Sequence, residues 1–133
     1  MTDIARQGVA RWHAYMADGA APAVLRGMLA PDAVFHSPVV HTPQAGADKV
    51  FAYLDAASHV LGGQPSFTYV RELIDGDQAM LEFNLEIDGI HIDGVDIIRW
   101  NTDGQIVDFK VMVRPLKAIN LLHQKMGELL AKA

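Results

Sequence analysis

Ile90-His91-Ile92-Asp93-Gly94-Val95-Asp96-Ile97-Ile98-Arg99-Trp100 is the stretch from which the fold can be worked outward. Successive side chains of a strand point to opposite faces, so its even positions (Ile90, Ile92, Gly94, Asp96, Ile98, Trp100) share one face and His91, Asp93 and Arg99 lie on the other. Asp88-Gly89 precedes the run and Thr102-Asp103-Gly104 follows it, and Asp-Gly pairs mark tight hairpins because both residues tolerate positive φ. Asp75-Gly76-Asp77 repeats the signal upstream. The spacing therefore predicts four strands, Ser66 to Ile74, Gln78 to Asp88, Ile90 to Trp100 and Gln105 to Val113, joined as an antiparallel meander.

Before the meander the hydrophobic period is helical. Val9, Trp12 and Met16 predict a helix from Thr2 to Asp18, stopped by Asp18-Gly19. Pro22 suits the first turn of a second helix with Val24, Leu25, Met28 and Leu29 as its stripe, ending before Pro31. A short strand from Ala33 to His36 follows, then a loop to Gly46. A third helix from Ala47 to Leu61 presents Val50, Leu54, Ala57 and Leu61, and Gly62-Gly63 stops it. Pro115 opens a closing helix carrying Leu116, Ile119, Leu122, Met126 and Leu129. Helices on one face of a curved antiparallel sheet make an α+β fold, one domain over residues 1–133, whose concavity is the default ligand site.

Composition narrows the function. A 133-residue chain that is 50% hydrophobic and 20% charged can bury a core, and its net charge of −5 argues against phosphate backbones and anionic lipid. Neither nucleic acid nor a membrane is an expected partner. The absence of cysteine removes disulfides, thiol catalysis and Cys-ligated metal centres. With no targeting run before Asp3, Arg6 and Arg11 and no apolar stretch of spanning length, a cytoplasmic location is expected.

Asp96 is the lone charge on the apolar face of its strand. A buried carboxylate without a partner is costly, so its pKa should rise until it holds a proton or finds a donor. A neutral carboxylic acid in a dry pocket can hydrogen-bond a developing oxyanion. Two structural alternatives stand beside this: Asp96 satisfies a core group, or a bulge near Gly94 turns it outward. His36, at the end of its strand and sharing parity with Val34, suits a rim acid–base group or a hydrogen-bonded structural role. His41 lies in a loop, and His13, His59 and His123 read as surface or satisfied core residues. His91 and Asp93 could supply two metal ligands, but no third is visible at a supporting spacing and no metal is expected. The chain contains no nucleophile elbow, phosphate loop or dinucleotide fingerprint, so no cofactor is expected.

Asp32-Ala33-Val34-Phe35-His36-Ser37-Pro38, Val95-Asp96-Ile97-Ile98-Arg99-Trp100 and Asp103-Gly104-Gln105-Ile106, together with Met112 to Ile119, carry a family likeness. Over nearly its whole length the chain resembles the nuclear transport factor 2-like superfamily, the cystatin-like cone of SnoaL-like polyketide cyclases, ketosteroid isomerases and limonene epoxide hydrolases. The resemblance places Asp96 where ketosteroid isomerase has its protonated oxyanion-hole aspartate. It matches that enzyme's general base with Ser37 and its helical tyrosine with Trp12, with Tyr15 one turn on. The hydrolase arrangement would need a carboxylate where Val111 stands. A SnoaL-like cyclase needs only a histidine or aspartate in an apolar chamber.

The expectation is proton transfer on a small apolar carbonyl compound, as in an isomerase or a cyclase-type lyase, with Asp96 as hydrogen-bonding acid and His36 as base. Trp12, Tyr15, Val34, Phe83, Ile98, Val111 and Val113 are expected to line the pocket. The alternative is a non-catalytic ligand-binding or dimerisation module. Glu82, Asn84, Glu86, His91, Asp93 and Arg99 mix both charge signs on the other strand face, which predicts a homodimer joined sheet to sheet.

Overall fold

A computed structural model describes residues 3–131. Helix α1 (Ile4–Ala17) and helix α2 (Pro22–Met28) lead into strand β1 (Leu29–His36), the short β2 (Gln44–Ala45) and helix α3 (Ala47–Gly62). Strands β3 (Thr68–Asp75), β4 (Gln78–Ile87), β5 (Ile90–Trp100) and β6 (Ile106–Arg114) follow, and α4 (Leu116–Ala131) closes the fold. The expected start of the first helix at Thr2 lies outside the described residues.

The six-stranded sheet runs β2-β1-β6-β5-β4-β3, so the meander is present and β1 joins it by pairing parallel to β6. β1 is longer than expected because it begins at Leu29 and absorbs Pro31. Its register against β6 jumps between Leu29 and Val34, and exposed Pro31 and Asp32 fall within this irregular segment, where a residue without an N–H breaks no ladder bond. Within the expected loop, Gln44 and Ala45 pair with Phe35 and Val34 as β2.

The β4–β5 ladder runs without a slip from Gln78↔Arg99 to Ile87↔Ile90. Its two-residue turn has Asp88 at φ 52° and Gly89 at φ 79°, the left-handed pair that matches the twist of a hairpin. Helix α1 packs against β3, β4 and β5, while α3 covers β1 and meets α4. The buried face of α1 is Ala5, Gly8, Val9, Trp12 and Tyr15, as its spacing requires. The stripes of two other helices are rotated from expectation: α2 buries Leu25 and Met28 but exposes Val24, and α4 buries Ala118, Leu121 and Leu122 but exposes Leu116 and Leu129.

Gly94 is buried on the inner face directly opposite Phe83, and the Phe83 ring lies in the space a Cβ at Gly94 would need. The glycine thus lets an aromatic ring lie flat on the sheet. Gly94→Ala should lower stability by about 1–3 kcal/mol, the usual cost of overpacking a dense core. Urea unfolding midpoints compared at constant m-value measure this, and an unchanged midpoint would contradict the packing described.

Candidate functional site

β5 keeps its alternation throughout, so Ile92, Gly94, Asp96, Ile98 and Trp100 are all buried and no bulge at Gly94 turns Asp96 outward. Asp96 lies between Leu81 of β4 and Val111 of β6 and is 6% exposed. Burial pushes its pKa up to about 7, and a hydrogen bond from Tyr69 opposes part of the rise.

That hydrogen bond ends a short chain of donors. Trp12 Nε1–H donates to Tyr69 Oη at 2.8 Å, and Tyr69 O–H donates to Asp96 Oδ2 at 3.2 Å. Indole nitrogen is only a donor, so it fixes the direction of the chain, and the single phenolic proton is spent on Oδ2. When Asp96 is protonated, its own proton therefore belongs on Oδ1. Burial and the neighbouring Asp96 carboxylate hold the Tyr69 phenol well above its ordinary pKa, so it stays a donor. His13 fixes the ring edge-on at 5.0 Å while its Nε2 pairs with Glu72 Oε1 at 2.7 Å.

The carboxyl faces a cavity of about 240 Å³ enclosed by the inner sheet face, α1, α3 and α4. Its walls are largely aromatic. Phe67 stacks on Phe83 at 5.3 Å and meets Tyr69 edge-on at 5.0 Å, while Trp12 tilts against Phe109 at 5.1 Å and Phe35 stacks on Tyr53 at 5.6 Å. Residues Ser37 to Val40 and the α4 residues His123, Met126 and Leu130 complete the lining. A small number of polar groups converging in an apolar hollow is the usual composition of a small-molecule site.

Of the catalytic and pocket residues expected from the sequence, Asp96, Trp12, Phe83 and Val111 line this chamber, and Tyr15, Val34, His36, Ile98 and Val113 do not. Tyr15 is buried beside Trp12, with ring centroids 5.0 Å apart, and is not part of the wall. Ile98 and Val113 are on the inner face, opposite Phe109 and Gly94, but are not part of the wall, since alternation assigns a face and not contact with the cavity. Val34 and His36 are corrected outright. Phe35 takes the inward position of β1, so its two neighbours face the other side, where His36 Nε2 pairs with Asp108 Oδ1 at 2.9 Å.

Tyr69 and His123 are the functional candidates that sequence reading missed. A bulge at Val70 shifts the β3 register between Tyr69↔Phe83 and Arg71↔Glu82, so Tyr69 points inward while Arg71 and Leu73 share the outer face. The alternation of Phe67 and Tyr69 is the one available signal. His123 is exposed at the chamber rim, which its place in an amphipathic helix does not reveal. Among the described residues no group of three His, Asp or Glu side chains could hold a metal ion. His91 Nε2 lies 3.3 Å from Glu86 Oε1, and Arg114 lies 3.3 Å from Asp93 Oδ2. No helix among the described residues is long and apolar enough to cross a membrane.

Comparison with known proteins agrees with this architecture. The SnoaL-like domain model matches residues 9–109. A steroid delta-isomerase from Pseudomonas aeruginosa is 36% identical, with 99% of this chain and 95% of that one covered and a TM-score of 0.87. An uncharacterised protein with a cystatin-like fold from Silicibacter pomeroyi is 30% identical over 91% of this chain and 83% of that one, with a TM-score of 0.80. A nuclear transport factor 2-like protein of unknown function from Mesorhizobium loti shares the fold at 22% identity, covering 85% of this chain and 93% of that one, with a TM-score of 0.70. No functionally curated protein gives a significant sequence match. The chain belongs to the SnoaL-like domain family.

Proposed function

We propose that the chamber takes a small, largely apolar carbonyl compound and that Asp96 handles a proton at the carbonyl oxygen, as in an isomerase that uses no cofactor. The observation that carries this reading is a single carboxyl, buried in an aromatic hollow and with its pKa raised to about 7, whose Oδ2 is already bonded by Tyr69. The steroid delta-isomerase of Pseudomonas aeruginosa, 36% identical over nearly the whole chain, supports the reaction class.

In this scheme the ligand carbonyl accepts a hydrogen bond from protonated Oδ1 of Asp96. Removing a proton from the adjacent carbon places negative charge on that oxygen, where the carboxyl proton stabilises it in a low-dielectric site. His36 cannot receive the carbon-bound proton, because it lies on the opposite sheet face and is paired with Asp108. The imidazole that faces the chamber is His123, and we assign the base to it. His123 takes the proton, and where the ligand carries a carbon–carbon double bond β,γ to the carbonyl, the imidazolium returns it to the γ-carbon of the dienolate, so the double bond moves into conjugation and the ligand leaves as an isomer with atoms and charge unchanged. The exposure of His123 favours a second reading, in which the chamber binds such a compound without turning it over.

The outer sheet face fits the expected second copy of the chain. Leu73, Met80 and Met112 are 58%, 40% and 49% exposed there, framed by Arg71–Glu82 and Arg114–Asp93 pairs at 3.3 Å. An apolar centre with both charge signs around it is self-complementary under a two-fold axis.

Three outcomes are expected. First, the Asp96 carboxyl, followed by carbon NMR, titrates near pH 7. Its folded pKa exceeds the unfolded value, so the folded state binds the extra proton between the two, and wild-type stability falls as pH rises from about 4 to about 7. Asp96→Asn has no such titration, so its stability relative to wild type rises across that window by as much as about 4 kcal/mol. A flat difference between the two proteins would contradict a buried titrating acid. Second, exchange of deuterium into trans-2-decalone in D₂O should slow by about 10²–10⁴-fold in Asp96→Ala and in His123→Gln. Binding without any catalysed exchange in the wild type would leave the non-catalytic reading. Third, sedimentation should give a dimer that Met112→Lys converts to monomer; a wild-type monomer at micromolar concentration would remove the sheet-face interface.

A further inference from the structure

Tyr15 is 2% exposed, and its Oη has no hydrogen-bond partner among the described residues. A buried hydroxyl left in this state costs free energy on the order of 1–3 kcal/mol, so a partner within reach is favoured. Burial raises the Tyr15 pKa, the adjacent Ser58 hydroxyl offsets part of the rise, and the Asp55 carboxylate adds to it. Among the described residues no hydrogen bond of ordinary geometry reaches the phenol oxygen, however, and Asp55 Oδ1 is itself without one, with His59 Nδ1 3.4 Å from it. Ser58 is 5% exposed and lines the chamber.

The polar groups around the cavity thus fall into two sets, each rooted in α1. In one, Trp12 donates to Tyr69, which donates to Asp96. In the other, Tyr15 on the next turn of α1 stands behind Ser58 of α3, which is the side chain that reaches the ligand space. A hydroxyl both accepts and donates, so Ser58 can take the Tyr15 proton on its oxygen and offer its own proton to the cavity. This orientation leaves the Ser58 proton directed at the chamber, where an acceptor oxygen would meet it.

We propose that Ser58, backed by Tyr15, forms a second polar subsite in the chamber, and that the ligand class is an apolar skeleton bearing two acceptor oxygens, one met by Asp96 and one by Ser58. The proposal rests on reading the chamber as a ligand site and adds to it a requirement for a second oxygen. It excludes simple mono-ketones as the best ligands, because they would leave the Ser58 donor facing carbon.

The test compares trans-2-decalone with a set of trans-decalin diones differing in the position of the second carbonyl, with binding followed by NMR titration of the full chain. In the wild type at least one dione should bind about 5–10-fold more tightly than the mono-ketone, more than the roughly twofold statistical gain of a second equivalent carbonyl. Ser58→Ala should collapse that ratio to the statistical value. Tyr15→Phe, which keeps the ring and removes only the hydroxyl, should reduce the ratio to an intermediate value. If the mono-ketone binds and no dione exceeds the statistical gain, the subsite is wrong while the ligand chamber stands; a water joining Tyr15 and Asp55 would give this result. A wild-type preference that survives Ser58→Ala likewise overturns it. If neither class of ketone binds to the wild type, the chamber reading fails and the subsite falls with it.

Discussion

A carboxyl group held among aromatic rings by one hydrogen bond is the constraint around which this molecule is arranged. The curvature of the sheet and the helices that cap its hollow bury Asp96, and that burial moves the acid toward neutrality. Each neighbouring element has a part in that state. α1 supplies the indole that sets the direction of the donor chain, β3 supplies the phenol, and Gly94 makes room for the Phe83 ring that keeps the floor dry. Tyr69 supplies the one side-chain hydrogen bond that Asp96 makes among the described residues, and losing it would leave a buried carboxyl without that donor.

The outlines of this arrangement are readable from the chain because alternation and Asp-Gly turns are local signals. β5 places Asp96 inside on the strength of its own even positions, and the Asp88-Gly89 turn fixes its register against β4. Trp12 follows from helical spacing for the same reason. Legibility ends where a face depends on a distant partner. Val34, Phe35 and His36 put apolar groups on both sides of β1, and only the parallel pairing with β6 and the cover of α3 decide that Phe35 is the inward one. Tyr69 was hidden for a related reason: one unpaired residue at Val70 reverses the parity of the rest of β3, and nothing in the composition of that strand marks the reversal.

Two kinds of polarity coexist in the fold and serve different ends. On the outer sheet face the ion pairs Arg71–Glu82 and Arg114–Asp93 are largely solvated, so each adds little by itself and their pattern matters more than their energy. Inside, the polar atoms are few, and each must be matched by a partner in the protein or in a ligand. Members of one fold family can therefore differ in chemistry through a handful of inward side chains while the sheet and its outer charges stay much the same.

Arg11 immediately precedes Trp12 and anchors α1 by donating to the Gly104 carbonyl at 2.8 Å, in the turn between β5 and β6. The same turn is closed by Asn101, whose side chain accepts from the backbone of Asp103 and Gln105. A solvent-facing loop at one end of the sheet is thereby tied to the indole that orients the buried acid. A displacement of that turn would therefore bear on the helix one residue from the indole, through a contact that lies outside the chamber.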